Sequence, residues 1–339
     1  MEFRAKEIKE EAKKDYEKTW LETAKLLKRT GRGMFWPKVY GKSHPVIETE
    51  LKFRKVFLNL GFEETILPTI VPEEEVYKQY GPEAPLILDR VFYLGGLNRQ
   101  ELGISKEEET QIFDIVPGFT DFERLSQLLR DYKKGLVEAD DFVEEMVKRL
   151  GIKENEATQI ISQVFPEFKQ LKPVSTNLTL RSHMTAAWFP ALANLQRKGK
   201  LPFKLFSIGS RIRREQKQDE HHLYVSTSAS IVVMNKDITL EDGFDLTKKI
   251  MKEFGFNKVQ IVPKKTTSKY YAPGMDLEVF VNFNGQDLEI ANLGFYSPVS
   301  LANYKIWYPV LNLGFGVERM AMILTGKKDI RDLVYGEVA

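Results

Sequence analysis

The stretch Lys204-Leu205-Phe206-Ser207-Ile208-Gly209-Ser210-Arg211-Ile212-Arg213-Arg214-Glu215 is followed, after a charged and amide-rich loop from Gln216 to His222, by Val225-Ser226-Thr227-Ser228-Ala229-Ser230-Ile231-Val232-Val233. Strand alternation puts Phe206, Ile208 and Ile212 on one face and Ser207, Gly209, Arg211, Arg213 and Glu215 on the other. In the second stretch Val225, Ala229, Ile231 and Val233 share one face, and Ser226, Ser228 and Ser230 the opposite one. Paired as an antiparallel hairpin, the two would bury an apolar face beneath helices and present a polar floor of arginines, a carboxylate and hydroxyls. Such a floor suits a polyanionic ligand, because arginine holds phosphate with a planar fork and hydroxyls donate to its oxygens. Solvated cross-strand pairing of Arg and Glu is the other reading of the same pattern.

Working outward, Leu277-Glu278-Val279-Phe280-Val281-Asn282-Phe283 alternates up to Asn284-Gly285, the strongest short signal for a type I′ turn. The return strand, Gln286 to Asn292, carries Asp287 and Glu289 on one face. Two such carboxylates suit Mg²⁺ or a plain surface role. Pro309-Val310-Leu311-Asn312-Leu313-Gly314-Phe315-Gly316-Val317-Glu318-Arg319 then runs as an apolar strand through two glycines into a helix, with Arg319 in its first turn. Close backbone approach and a helix amino end make that turn a candidate phosphate site.

Helices are expected at 183–198, 239–254 and 317–325, between these strand signals. Strands grouped late in the chain favour an α+β fold, an antiparallel sheet with helices packed on it. Glu48–Leu60 reads as a helix ending at Gly61, followed by the extended edge strand Thr65-Ile66-Leu67-Pro68. Residues 98 to about 176 are charged, helical in period and punctuated by glycines, and read as a helical insertion. Residues 2 to 29 suggest a solvated helix that rests a thin stripe, Ile8, Trp20, Ala24 and Leu27, on the body.

With 42% hydrophobic and 29% charged residues among 339, the chain has the balance of a globular protein with a sizeable core. A net charge of +2 gives no global signature of nucleic-acid binding, so any RNA contact must be local. The absence of cysteine excludes disulfides and thiolate chemistry, and four histidines leave little for a histidine metal site. A charged amino terminus and the lack of a ~20-residue apolar run predict a cytoplasmic protein with no membrane partner.

The order helix–strand–Pro, Arg-x-Glu hairpin, glycine turn with Arg resembles the three signature motifs of class II aminoacyl-tRNA synthetases. They correspond here to Glu48–Pro68, Ile212-Arg213-Arg214-Glu215 and Gly314-Phe315-Gly316-Val317-Glu318-Arg319. His44-Pro45-Val46-Ile47-Glu48, Leu180-Arg181-Ser182-His183-Met184-Thr185, Phe206-Ser207-Ile208, Ser228-Ala229-Ser230, Tyr270-Tyr271-Ala272-Pro273-Gly274 and Gly294-Phe295-Tyr296-Ser297-Pro298-Val299 are further similar to the phosphoserine-tRNA ligase family within that class.

The resemblance implies the class II catalytic fold. Its parts are an N-terminal helical extension (1–30), a first catalytic segment (31–97), the helical insertion (98–176) and the catalytic core (177–339). It also implies activation of O-phosphoserine by ATP and Mg²⁺ as an adenylate, then transfer to tRNA(Cys), in a homodimer or homotetramer. Arg213 is then expected on the ATP α-phosphate, Glu215 on the adenine amino group, Arg319 on the γ-phosphate, and Glu289 with Asp287 on Mg²⁺. The phosphoserine phosphate is expected at His183, Met184, Thr185, Ser228, Ser230 and Asn312.

Two departures accompany the match. Only twenty residues follow Arg319, whereas the family continues into an anticodon-binding domain, expected to be absent here; the chain reads as a truncation or a stand-alone paralogue. Val225-Ser226-Thr227 and Met275-Asp276-Leu277 also depart from the family pattern. The alternatives are a paralogue charging a different acceptor and a non-catalytic binding or regulatory relative, which the presence of Arg213, Glu215, Glu289 and Arg319 disfavours.

Overall fold

The structure, a computed structural model, describes residues 3–27, 41–97, 102–165, 168, 172–220 and 222–335. Two units are distinguished, Met1–Ser43 and His44–Ala339. In the first, the expected single helix is two: α1 (Ala5–Lys14) and α2 (Tyr16–Thr23), broken at Asp15. The extended backbone of Asp15 stops α1, and its carboxylate caps α2 by accepting the Lys18 N–H at 3.0 Å. Trp20 and Leu27 of the expected buried stripe are exposed. Residues 28–40 and 98–101, where two of the expected part boundaries fall, lie outside the described residues.

In the second unit, α3 (Pro45–Asn59) starts with Pro45 at its first position behind a His44 cap and ends at Gly61, whose φ of +77° is the left-handed turn that glycine accepts. The edge strand comes two residues earlier than expected: β1 is Glu63–Glu64 and runs parallel to the sheet at Leu205–Phe206. β2 (Ile70–Pro72), α4 (Glu73–Tyr80), α5 (Ala84–Leu88) and β3 (Tyr93–Leu97) follow. Then come α6 (Lys106–Ile115), α7 (Phe122–Lys133), α8 (Phe142–Leu150) and α9 (Glu154–Gln159), which close on a core of their own around Leu125, Leu128, Met146 and Ile160. β4 (Pro173–Leu180) begins inside the segment read as helical and joins β2 and β3 in a small sheet ordered β2-β4-β3, which the sequence reading missed.

The remaining elements are α10 (Thr185–Leu195), β5 (Phe203–Ile212), β6 (Val225–Met234), α11 (Leu240–Glu253), β7 (Gln260–Pro263), β8 (Tyr271–Phe283), β9 (Gln286–Tyr296), α12 (Pro298–Asn303), β10 (Val310–Gly316), α13 (Val317–Thr325) and α14 (Asp332–Tyr335). The main sheet is ordered β1-β5-β6-β10-β9-β8-β7 and is antiparallel apart from β1. The α+β reading with helices on an antiparallel sheet therefore holds.

One face of this sheet is apolar and buries Phe206, Ile231, Val279 and Leu313 in a core shared with α3, α11 and α13. Phe53 of α3 sits at its centre, 4.4 Å from the ring of Phe254 and 5.1 Å from that of Phe315. The opposite face changes character along its length. At its inner end Leu205, Val232 and Met234 pack with Trp188 and Phe189 of α10; at its outer end, where Arg211 and Ser226 stand, a cavity opens.

Candidate active site

The register turns the polar face into transverse rows. Arg211 lies opposite Ser226, and Gly209 opposite Ser228 and, through β10, Gly316. The next row is Ser207–Ser230–Gly314–Asn292–Glu278. The row after that is Leu205–Val232–Asn312–Gly294–Asp276. Glycines at 314 and 316 leave the centre of the face hollow, with hydroxyls to one side and amides and carboxylates to the other.

Above the outer rows lies a cavity of about 510 Å³, within the usual range for a small-molecule site. Arg213, Glu215, Arg319, Glu289 and His183 all line it. Arg213 is oriented by its Nε–H, which donates to the Ser182 carbonyl at 3.0 Å. Glu215 accepts from Arg90 with both oxygens at 3.1 Å. From the first turn of α13, Arg319 reaches across to β9, donating to the Glu289 carbonyl at 2.6 Å with the Glu289 carboxylate 3.7 Å away.

Arg211, which shares its face with Arg213, also lines the cavity and donates to Ser226 Oγ at 2.8 Å. Burial, and then the neighbouring charges of Arg213 and Arg319, push its guanidinium down to about 9. Burial likewise lowers Arg213, with Arg90 as the next cause, and holds His183 well below the usual histidine range, with Arg213 next. Guanidiniums buried this closely together favour an anionic ligand among them.

The phosphate-contact set expected at the inner rows is arranged differently from the cavity residues. Ser230 Oγ accepts from Trp188 Nε1 at 3.0 Å and from Asn312 Nδ2 at 3.2 Å, while Asn312 Oδ1 accepts from the Tyr271 hydroxyl at 2.7 Å. Ser228 donates to the Phe315 carbonyl at 3.2 Å. Thr185 is buried at the start of α10 next to Met184, facing the phenols of Tyr270 and Tyr296. These side chains cluster behind the cavity wall; of the expected set, His183 alone lines the cavity. Asp287 does not line it either: it lies by the hairpin turn, where Asn282 donates to it at 3.4 Å.

Period-two reading also missed a cavity residue. Phe280 pairs with Glu289 but Val279 with Ala291, so a bulge of one residue separates them. The bulge shifts the phase of β9 and brings Asn292 onto the same face as Glu289, and both line the cavity. Glu318, buried beside Thr227 whose N–H it accepts at 2.6 Å, also lines the cavity, as do Lys264, Glu83 and Arg90. No helix among the described residues is long and apolar enough to cross a membrane.

The sheet, the arginine-bearing hairpin and the glycine turn into α13 are the parts of an aminoacyl-tRNA synthetase catalytic core. Residues 108–339 match the family model described as tRNA synthetases class II core domain (F), and the chain belongs to that family. The fold is shared with the solved pyrrolysyl-tRNA synthetase of Desulfitobacterium hafniense, at a TM-score of 0.54 and 17% identity over 94% of this chain and 78% of that one. Among curated proteins, the chain is 45% identical over 99% of its length to the O-phosphoserine--tRNA(Cys) ligase of Methanocaldococcus jannaschii. It is 41% identical over 98% of its length to the protein of that name from Methanopyrus kandleri. It spans 64% of the length of each of these relatives.

Proposed function

We propose that the chain activates O-phosphoserine with ATP and ligates it to tRNA(Cys). The observation that carries this reading is the joining of two chemistries on one sheet face: an arginine-lined cavity for a nucleotide, and behind it rows of hydroxyl and amide groups fit for a phosphorylated side chain. The 41–45% identity to proteins named for this activity supports it. Arg213 takes the α-phosphate and stabilises the charge that develops there as the amino-acid carboxylate attacks. Glu215 keeps lone pairs beyond those that Arg90 uses and accepts from the adenine amino group. Arg319, anchored by one nitrogen to Glu289, directs its other donors to the γ-phosphate.

Among the described residues there is no group of three or more His, Cys, Asp or Glu suited to hold a metal. Mg²⁺ in a nucleotide site rests on one or two carboxylates together with water and phosphate, so none is required. Glu289, lining the cavity beside Arg319, fits that part; Asp287 does not. The ion would offset phosphate charge there. Thr185, Ser228, Ser230 and Asn312 take the phosphoserine phosphate by exchanging their present partners for its oxygens, with the backbone at Met184 and the ring of His183 alongside. We assign the stretch from 98 up to the start of β4 as an insertion in the catalytic domain, a few residues shorter than 98–176, and 1–30 as an extension to it.

The test is ATP–pyrophosphate exchange across candidate amino acids. O-Phosphoserine should support exchange best, and Arg213→Ala should slow it by ~10²-fold, the worth of about 3 kcal/mol of transition-state stabilisation. Preference for phenylalanine or for unphosphorylated serine would overturn the substrate, and an unaffected Arg213→Ala variant would overturn the site.

A further inference from the structure

Three buried side-chain atoms of the described residues lack a hydrogen-bond partner: Asp276 Oδ1, Asn292 Nδ2 and the Tyr296 hydroxyl. They are not scattered. β8 pairs Asp276 with Gly294, Glu278 with Asn292 and Tyr271 with Tyr296. Positions 292, 294 and 296 are successive places on one face of β9, spanning roughly 13 Å, and Asp276 stands opposite the middle one. Unsatisfied buried groups are rare in a folded protein, and this row, of which Asn292 lines the cavity while Asp276 and Tyr296 lie buried behind it, marks where a ligand's own polar groups belong.

Asp276 is the most demanding of the three. Its residue is 1% exposed. One carboxylate oxygen, Oδ2, accepts the Ser268 N–H at 2.9 Å; the other accepts nothing. The nearby ammonium of Lys264 is turned to Glu278, 3.9 Å from its Oε1. Burial pushes the Asp276 carboxyl up, as expected for an anion removed from water with half its oxygens unpaired. Ser268 and Tyr270, which flank the carboxylate, line the cavity, and Asn312 shares its row. The carboxylate thus stands two strands along the row from Asn312 and directly behind the cavity residue Ser268.

We propose that Asp276 receives the α-ammonium group of the amino-acid substrate on its free Oδ1, and so selects an amine over other groups at the α-carbon. This rests on the reading of the cavity as an amino-acid-activating site. A substrate with its carboxylate toward Arg213 and its phosphate toward Ser228, Ser230 and Asn312 brings its α-carbon to the junction where that oxygen waits. A charged N–H donor is the partner that returns the buried carboxylate to its ionised form, and an ammonium opposes the repulsion between Asp276 and a phosphate one row away.

The experiment compares O-phosphoserine with its 2-hydroxy analogue, 3-phosphoglycerate, on the full chain. The KM of phosphoserine in pyrophosphate exchange is measured against the Ki of the analogue. The wild type should hold the analogue at least ~10-fold more weakly, the usual worth of one hydrogen bond to a charged group. Asp276→Asn keeps the shape and removes the charge; it should raise the phosphoserine KM by a similar factor and leave the analogue's Ki and the KM of ATP in place. Equal affinity of the wild type for both compounds overturns the proposal without need of any variant, as does an equal loss for both compounds in Asp276→Asn. If a different amino acid supports exchange, the substrate assignment falls, and Asp276 is judged by that amino acid and its own 2-hydroxy analogue. Exchange with no amino acid overturns both.

Discussion

Arg213 and Glu215 read as sharing one face of a strand; β5 ends at Ile212, and both residues, just beyond it, line the cavity, as does Arg319 just past two glycines. Ser228 and Ser230 share the polar face as expected, and Asn312 joins them there, but parity carries no information on what covers a face. Trp188 of α10 does so here and occupies Ser230. Electrostatics was equally illegible, because it depends on which charges burial brings together. His183 is the sharpest case: burial first, then Arg213, holds its ring well below the usual histidine range. A histidine pKa depressed in the folded state leaves the ring's contribution to stability intact above the unfolded value of about 6.5, and that contribution is lost as pH falls below it toward the folded value. With four histidines in the chain, ring titration by NMR can resolve this one. His183 should stay neutral through pH 6.5. In Arg213→Ala its midpoint should rise while remaining depressed, because burial persists. A wild-type His183 that titrates like a free histidine would contradict the geometry.

The elements were more legible than their joints. The type I′ turn at Asn284-Gly285, the helix end at Gly61 and the three late helices followed from local chemistry. The bulge in β9 and the β2-β4-β3 sheet did not, because pairing between distant segments decides them. Packing between elements also gives the central glycines distinct duties. A Cβ at Gly294 would meet the Met275 carbonyl oxygen and come within 2.8 Å of the Tyr271 ring. At Gly209 it would stand 2.5 Å from Arg181 Nη2, on a guanidinium held by the carbonyls of Ser210, Leu67 and Pro68. At Gly314 it would meet only Ser228 Oγ and Ser230 Oγ, at 3.9 and 4.0 Å. Gly294→Ala should therefore destabilise by ~1–3 kcal/mol or more, Gly209→Ala by less because a side-chain tip can shift, and Gly314→Ala by under ~0.5 kcal/mol. Urea unfolding midpoints in that order would bear this out; a wild-type midpoint for Gly294→Ala would sink it.

At the scale of the whole molecule, the second unit displays one apolar surface that its own core does not use. Helix α3 buries Val46, Phe53, Val56 and Phe57 inward, yet its outer side carries Ile47, Leu51 and Leu58 at 49, 57 and 43% exposure, and Ile66 just beyond it is 95% exposed. Spacings of four and seven residues keep the three helical side chains on one stripe, the pattern of a helix with a partner on each side. Contiguous exposed apolar stripes on a soluble protein mark an interface. A second copy of the chain is the expected partner, because an isologous contact of α3 with its symmetry mate would cover the stripe on both copies at once. Sedimentation velocity should therefore find a dimer or a larger even assembly. Leu51→Glu would put a charge in the stripe of each copy and forfeit burial of two leucines, about 2–3 kcal/mol for each, so the dissociation constant should rise by ~10²-fold or more. Because Leu51 faces away from Phe53 and the inner core, the variant should keep its circular dichroism spectrum. A wild-type chain that sediments as a monomer at every concentration, or a Leu51→Glu variant as tightly associated as the parent, would mean that this stripe faces something other than a copy of itself.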